Sequence, residues 1–241
     1  RNRRIASQTD LDCGSGNPRD EIFGFAASGL FAAEENKRQT KSSIVERKLG
    51  DFTDIAAVEF VVVDRPAVLG VVLVAVGGGT TDIAVFYDGS IRHTAVVGLG
   101  GENVTHDVSI GLRTPLKQAE ETKREHGCAL RTLVSKEESI EVPGLAGRPS
   151  YMVPRAELSA VIEARMEEIF TLVHREIRRT DYADLLAAGV VITGGGAMLE
   201  GTVELAEEVF GMPVSLGTPS GITGLADAVK QPIYATGVGQ I

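Results

Sequence analysis

Cysteines, aromatic residues and long apolar runs are all scarce in this 241-residue chain, and each shortage narrows what the protein can be. Its two cysteines, Cys13 and Cys128, lie far apart and lack the paired spacing of a metal site. Two free thiols in a reducing compartment are therefore expected, rather than a disulfide framework or a zinc centre. No apolar run of about 18 residues exists, the length a membrane-spanning helix needs. The most hydrophobic stretch, residues 60–76, is broken by Asp64, Arg65 and Pro66. Basic residues are in deficit, 24 against 33 acidic, for a formal net charge of −9, which disfavours nonspecific attraction to nucleic acid or anionic lipid. The opening Arg-Asn-Arg-Arg has the charge of a signal n-region, but residues 6–12 are polar and supply no apolar h-region. A cytoplasmic location is expected. What remains, 43% hydrophobic residues in a chain of this length, describes an ordinary globular protein able to bury a core.

The pattern is weak over residues 1–69 and sharpens at Val71. Residues 71–76 read as a buried strand, 83–87 as a second and 91–97 as a third, with Asp88-Gly89 as a hairpin turn between the last two. A helix is expected over 102–112, with Val104, Val108 and Leu112 on one face. A second helix, capped by Thr114 with Pro115 at its first position, is expected to end near Gly127. Alternating residues around Pro143, Gly144 and Gly147 suggest a small set of strands over 130–153. A long helix follows over 154–179, its apolar stripe formed by Leu158, Val161, Ile162, Ile169, Val173 and Ile177. Then come a buried strand at 189–193, a glycine turn at 194–196, a helix at 203–210 and a short strand at 214–216. This order, with no internal repeat, indicates an α/β domain carrying an inserted α+β subdomain.

The strongest chemical signal is the run Gly77, Gly78, Gly79, Thr80, Thr81, Asp82 between two strands. Successive glycines permit positive φ and close approach of the backbone to an anion, so that their N–H groups form a nest for phosphate oxygens. Thr80 and Thr81 would add hydroxyl donors, and Asp82 would hold water of a Mg2+ shell or tie the turn together. The other reading, a hairpin that needs glycine for geometry alone, requires fewer glycines than are present. A second strand–turn–helix corner carries Gly194, Gly195, Gly196 and Met198. It offers glycines at the carboxyl end of a strand, where no side chain blocks a base or ribose. Taken alone, it reads as a structural turn; paired with the first loop, a functional role is the favoured reading. On the second helix, Glu120 and Lys123 share a face. Their spacing alone favours an exposed ion pair on a solvated helix; the alternative is a pair reaching a ribose or base.

The run from Val71 to Phe86 resembles the second phosphate motif of the actin, sugar-kinase and heat-shock-chaperone superfamily. The segments His93-Thr94-Ala95-Val96, Gly100-Gly101, Val104-Thr105 with Asp107, and Gly111 to Leu116 resemble the FtsA family of bacterial cell-division proteins in particular. The stretch 163–170, the glycine loop at 194–201, the stretch 205–210 and Tyr234 to Gly239 continue the likeness in order, over about 70% of the chain. The resemblance implies an actin-like (ribonuclease H-like) nucleotide-binding fold. The second-lobe core would be residues 70–126 and 188–241, the inserted subdomain 127–187, and 1–69 a degenerate remnant of a first lobe. It further implies ATP with Mg2+ as cofactor: Gly77 to Thr81 around the phosphates, Glu120 and Lys123 by the ribose and base, and Gly194 to Gly196 with Met198 lining the adenosine pocket. Residues 235–239 would match the hinge between lobes. The C-terminal tail of FtsZ would dock on the insert, self-association into filaments is implied, and the place of action would be the inner face of the membrane at the division septum.

Departures from the family pattern bear on activity. Ala75 stands where the motif has an Asp that organises Mg2+ or the attacking water, so binding without appreciable hydrolysis is expected. Leu11-Asp12-Cys13-Gly14-Ser15-Gly16 keeps only the outline of a first phosphate motif, and residues 61–65 depart from the segment leading into the second. The chain is too short for a full first lobe, and the family's C-terminal amphipathic helix has no counterpart, so membrane contact is not expected. The alternatives are a small-molecule kinase of the same superfamily and a remnant that binds no nucleotide.

Overall fold

The computed structural model describes residues 44–45, 70–219 and 229–238. The expectations for residues 1–69, apart from 44–45, lie outside the described residues. Six strands form one sheet in the order β1-β4-β3-β2-β7-β8: β1 (Ile44–Val45), β2 (Val71–Val76), β3 (Thr81–Tyr87), β4 (Ser90–Val97), β7 (Val190–Thr193) and β8 (Val214–Leu216). Between β4 and β7 the chain forms α1 (Gly101–Gly111), α2 (Leu116–His126), a two-stranded sheet of β5 (Ser139–Val142) and β6 (Tyr151–Pro154), and the 24-residue α3 (Arg155–Arg178). Helix α4 (Thr202–Phe210) connects β7 to β8, and α5 (Ala235–Val238) follows later.

The meander β2-β3-β4 is antiparallel, and the β3–β4 turn places Asp88 at φ 52 and Gly89 at φ 68, the two positive values of a type I′ hairpin. β2 pairs on its other side with β7 in parallel, and β7 with β8 in parallel. This central position explains the unbroken apolar run of β2, which is buried on both faces. Val72, Val74 and Val76 face the larger core, shared with Val104 and Val108 of α1, much of α3 and Leu205 and Phe210 of α4. Val71 and Leu73 face the opposite side with Ala188, Val191 and Ala235.

Helix α3 buries Leu158, Ile162, Met166, Ile169, Phe170, Val173 and Ile177 in the same core as β2. Each such side chain contributes about 1.5–3 kcal/mol on burial. Within 127–187, the stretch expected as an insert, β5 and β6 thus form a sheet of their own while α3 packs on the main one. Arg165 on α3 fastens α1 through two bonds to the Asp107 carboxylate, at 2.5 and 3.1 Å, and also meets Glu168 at 2.5 Å. Gly111 at the end of α1 abuts Val161, whose Cγ2 would lie 3.1 Å from an added Cβ.

Thr114 does not cap α2 as expected. Pro115 occupies the cap position, and the buried Thr114 hydroxyl donates to the Pro143 carbonyl at 2.7 Å, tying the α1–α2 turn to the strand pair. Cys128 is a free, buried thiol whose Sγ lies 3.2 Å from the Leu130 carbonyl. No helix among the described residues is long and apolar enough to cross a membrane.

Candidate functional site

Both glycine corners leave the sheet from the same ends of adjacent strands. In the parallel β2–β7 pair, Ala75 lies opposite Thr193, so the Gly77 turn after β2 and the Gly194 turn after β7 emerge side by side. Their contact is tight. A Cβ on Gly194 would lie 2.4 Å from the Val76 carbonyl oxygen, and one on Gly196 would lie 2.4 Å from Val76 Cγ1. Gly194 also has φ 87, in the left-handed region. Its N–H donates to the Pro232 carbonyl at 3.2 Å, and the Thr193 hydroxyl lies within reach of the Gly217 and Pro232 carbonyls, at 3.0 and 3.3 Å. The 3₁₀ turn Gly195–Met198 follows, with Gly195 and Met198 exposed.

The first corner owes its shape to α1. The N–H groups of Gly101 and Glu102 donate to the carbonyls of Gly77 and Gly78, at 2.9 and 2.8 Å. In a trans peptide the carbonyl and the following N–H point in opposite directions. Fixing those two carbonyls against α1 therefore turns the N–H groups of Gly78 and Gly79 away from it, and neither has an acceptor among the described residues. Gly78, Gly79 and Thr80 are exposed, and a Cβ on Gly79 would touch nothing. The expected positive φ is not found in Gly77 to Gly79, because the α1 contacts orient these peptides without it. The close approach falls on Gly100, where a Cβ would lie 2.6 and 2.7 Å from the Gly78 and Gly77 oxygens.

The two threonines of the run part company. Thr81 is fully buried and its hydroxyl donates to the Leu99 carbonyl at 2.9 Å, so it does not serve as the expected outward donor. Strand alternation puts it on the Val76 face, toward the core. Thr80 is exposed and donates to Asp82 Oδ2 at 3.2 Å. Asp82 lies opposite Ala75, which in turn lies opposite Thr193, so the three share one face of the sheet. A second carboxylate, Glu102, which the sequence did not single out, reaches within 3.4 Å of where a Gly78 Cβ would stand.

Glu120 and Lys123 are not an exposed pair. Lys123 is 7% exposed, and its three ammonium protons meet the Gly101 carbonyl at 3.0 Å, Thr105 Oγ1 at 2.7 Å and Glu120 Oε2 at 2.6 Å. The Thr105 hydroxyl accepts from Lys123 and has the Gly101 carbonyl, at 3.0 Å, and the Glu120 carboxylate as acceptors for its own proton. Burial would raise the Glu120 carboxyl. The hydrogen bonds from Lys123 and Thr105 and the charges of Lys123 and Arg124 outweigh it and hold its pKa below the ordinary carboxylate value. Lys123 lies 3.7 Å from a Cβ built on Gly101. The helix pair is thereby joined to the first glycine corner through Gly101, a link the sequence did not reveal.

A family model, "Cell division protein FtsA", matches residues 72–239. The cell division protein FtsA of Pseudomonas aeruginosa is 53% identical over 171 residues, which is 71% of this chain and 41% of that protein. FtsA of Escherichia coli K12 is 43% identical over 78% of this chain and 46% of its own length, and FtsA of Bacillus subtilis 41% over 72% and 38%. The chain spans less than half the length of these relatives. Among solved structures, MreB 5 of Spiroplasma citri bound to AMPPNP superposes with a TM-score of 0.62 at 20% identity, covering 78% of this chain and 56% of that one. The PilM-PilN type IV pilus biogenesis complex gives 0.53 at 14% identity over 78% and 47%. The fold is actin-like, and by the extent of the family match the chain belongs to the FtsA family of cell-division proteins.

Proposed function

We propose that this chain binds ATP across the two glycine corners and serves cell division as a nucleotide-binding adaptor rather than a turnover enzyme. One observation carries the reading: two glycine turns, remote in sequence, meet at the carboxyl ends of the adjacent parallel strands β2 and β7, the place where open α/β sheets hold ligands. The outward Gly78 and Gly79 amides suit phosphate oxygens. The exposed Gly195 and Met198 suit the adenosine, and the Glu120 carboxylate, held by Lys123 and Thr105, suits the ribose hydroxyls. That MreB 5 has been solved with AMPPNP and with ADP is in keeping with this assignment.

Mg2+ is ordinarily held by one or two carboxylates together with phosphate oxygens and water. Asp82 and Glu102 beside the loop fit that role, and no group of three His, Cys, Asp or Glu occurs among the described residues to hold the ion without phosphates. The Ala75 methyl group, on the same face as Asp82 and Thr193, leaves no carboxylate at the position that would polarise an attacking water, which supports binding without hydrolysis.

Family membership supports the adaptor role, in which the insert region would dock the FtsZ C-terminal tail at the inner face of the septal membrane, with self-association into filaments. Tyr151 and Met152 of β6, 40% and 63% exposed, offer apolar contact there. Calorimetric titration with ATP and Mg2+ tests the core of the reading, which fails if neither ATP nor ADP binds at millimolar concentration. Capture of an FtsZ tail peptide by the folded chain tests the partner assignment, and absence of capture removes it.

A further inference from the structure

The Gly78 and Gly79 amides are aimed by α1, and the start of α1 is itself held from behind. The Gly101 carbonyl receives Lys123 Nζ at 3.0 Å and lies 3.0 Å from Thr105 Oγ1, while the Gly101 and Glu102 amides hold the Gly77 and Gly78 carbonyls. These groups form one chain of bonds from α2 through the first turn of α1 to the loop.

Resting on the nucleotide reading above, we infer that Lys123 and Thr105 are positioning residues for the phosphate loop and touch no part of the nucleotide themselves. Three features support this. Lys123 is buried, 7% exposed, and its ammonium meets one acceptor per proton, leaving none for a ribose or base. A charge-assisted bond to a carbonyl is stronger than a neutral one, so of the contacts on Gly101 it is the one best able to fix that peptide. Finally, a Cβ built on Gly100 would lie 2.6 and 2.7 Å from the Gly78 and Gly77 carbonyl oxygens, so the loop and this segment abut too closely to shift independently. Glu120 then has two tasks, anchoring Lys123 and presenting its half-exposed carboxylate outward.

The number of phosphates on the ligand separates the two possible roles of Lys123. Binding of ATP, ADP, AMP and inorganic tripolyphosphate, each with Mg2+, is measured on the full chain and on Lys123→Met, Thr105→Val and Thr105→Ser. A positioning role predicts that Lys123→Met weakens tripolyphosphate, which has no ribose for Glu120, by about tenfold, the loss of roughly one charge-assisted bond, ATP and ADP by at least as much, and AMP, through the lost anchor of Glu120, by a smaller factor. Thr105→Val follows the same pattern more weakly, and Thr105→Ser, which keeps the hydroxyl, restores binding. Equal loss for AMP with tripolyphosphate unchanged overturns the inference in favour of a direct sugar or base contact. Uniform loss for all four ligands also overturns it, indicating general disruption. If Lys123→Met does not fold, the Thr105 pair decides by the same criteria. A wild-type chain that binds none of the four defeats the nucleotide reading itself, an outcome distinct from wild-type binding with the wrong pattern in the variants.

Discussion

Replacing Gly194 with alanine burdens the β2–β7 corner twice. At φ 87 an L-residue sits in the left-handed region, at a cost of about 1–2 kcal/mol. The new Cβ would also stand 2.4 Å from the Val76 carbonyl oxygen and 2.9 Å from its carbon. Both are backbone atoms, so no rotamer change relieves the contact and the paired strands must separate locally, at about 1–3 kcal/mol for overpacking of this kind. The sum is roughly 3 kcal/mol. For a chain of 241 residues that lowers Tm by roughly 6–12 °C. Gly195→Ala is the control: its Cβ would make ordinary 3.7 Å contacts with the Ile233 side chain and carries no positive φ, so its effect stays within about 0.5 kcal/mol. Urea denaturation of both variants, checked for an unchanged m-value, measures the difference. If Gly194→Ala unfolds at the wild-type midpoint, glycine there is not required for the approach of the two corners, and the packing argument for the site fails.

Arg165→Met removes the link from α3 to Asp107 of α1 and leaves two partly buried carboxylates, Asp107 and Glu168, without their partner. A destabilisation of about 2–4 kcal/mol is expected by denaturant titration, and a change under 0.5 would show that the pair contributes nothing net. Glu120 makes stability depend on acid. Because its folded pKa lies below the ordinary value, its contribution is fully present above the unfolded pKa of roughly 4.3 and is lost as pH falls through the lower folded value. The stability gap between wild type and Glu120→Gln should therefore be constant from neutral pH down to about 5 and close below about 4; a gap that widens on acidification contradicts the assignment.

How much was legible in the sequence depended on whether the cause was local. Strand β2 announced itself because burial on both faces demands an unbroken apolar run, and the Asp88-Gly89 hairpin because its backbone conformation selects those residue types. The stripe on α3 was readable for the same reason, although Met166 and Phe170, equally buried, fell outside the expected set. The glycine corners were visible as composition, whereas their adjacency depended on a pairing between Ala75 and Thr193 that no local pattern records. Lys123 looked solvated among Glu121, Thr122 and Arg124 because its burial comes from α1 packing across it. Thr114 was a plausible cap by sequence, yet an acceptor remote in sequence, the Pro143 carbonyl, took its hydroxyl. The direction of the Thr81 side chain required knowing which face of β3 met the core, which followed only from its register with β2 and β4.

The parallel pairing of Val72 with Val190 joins positions separated by almost half the chain. Closing so long an intervening segment is entropically slow compared with forming the β2-β3-β4 hairpins. The corner where β2 meets β7 should accordingly be among the last features completed during refolding, lagging behind the early sheet signal in stopped-flow experiments that follow both, and simultaneous appearance would contradict this order. If the chain binds nucleotide as proposed, a nucleotide added to a population of newly made chains would select the finished molecules and draw the remainder toward completion by mass action.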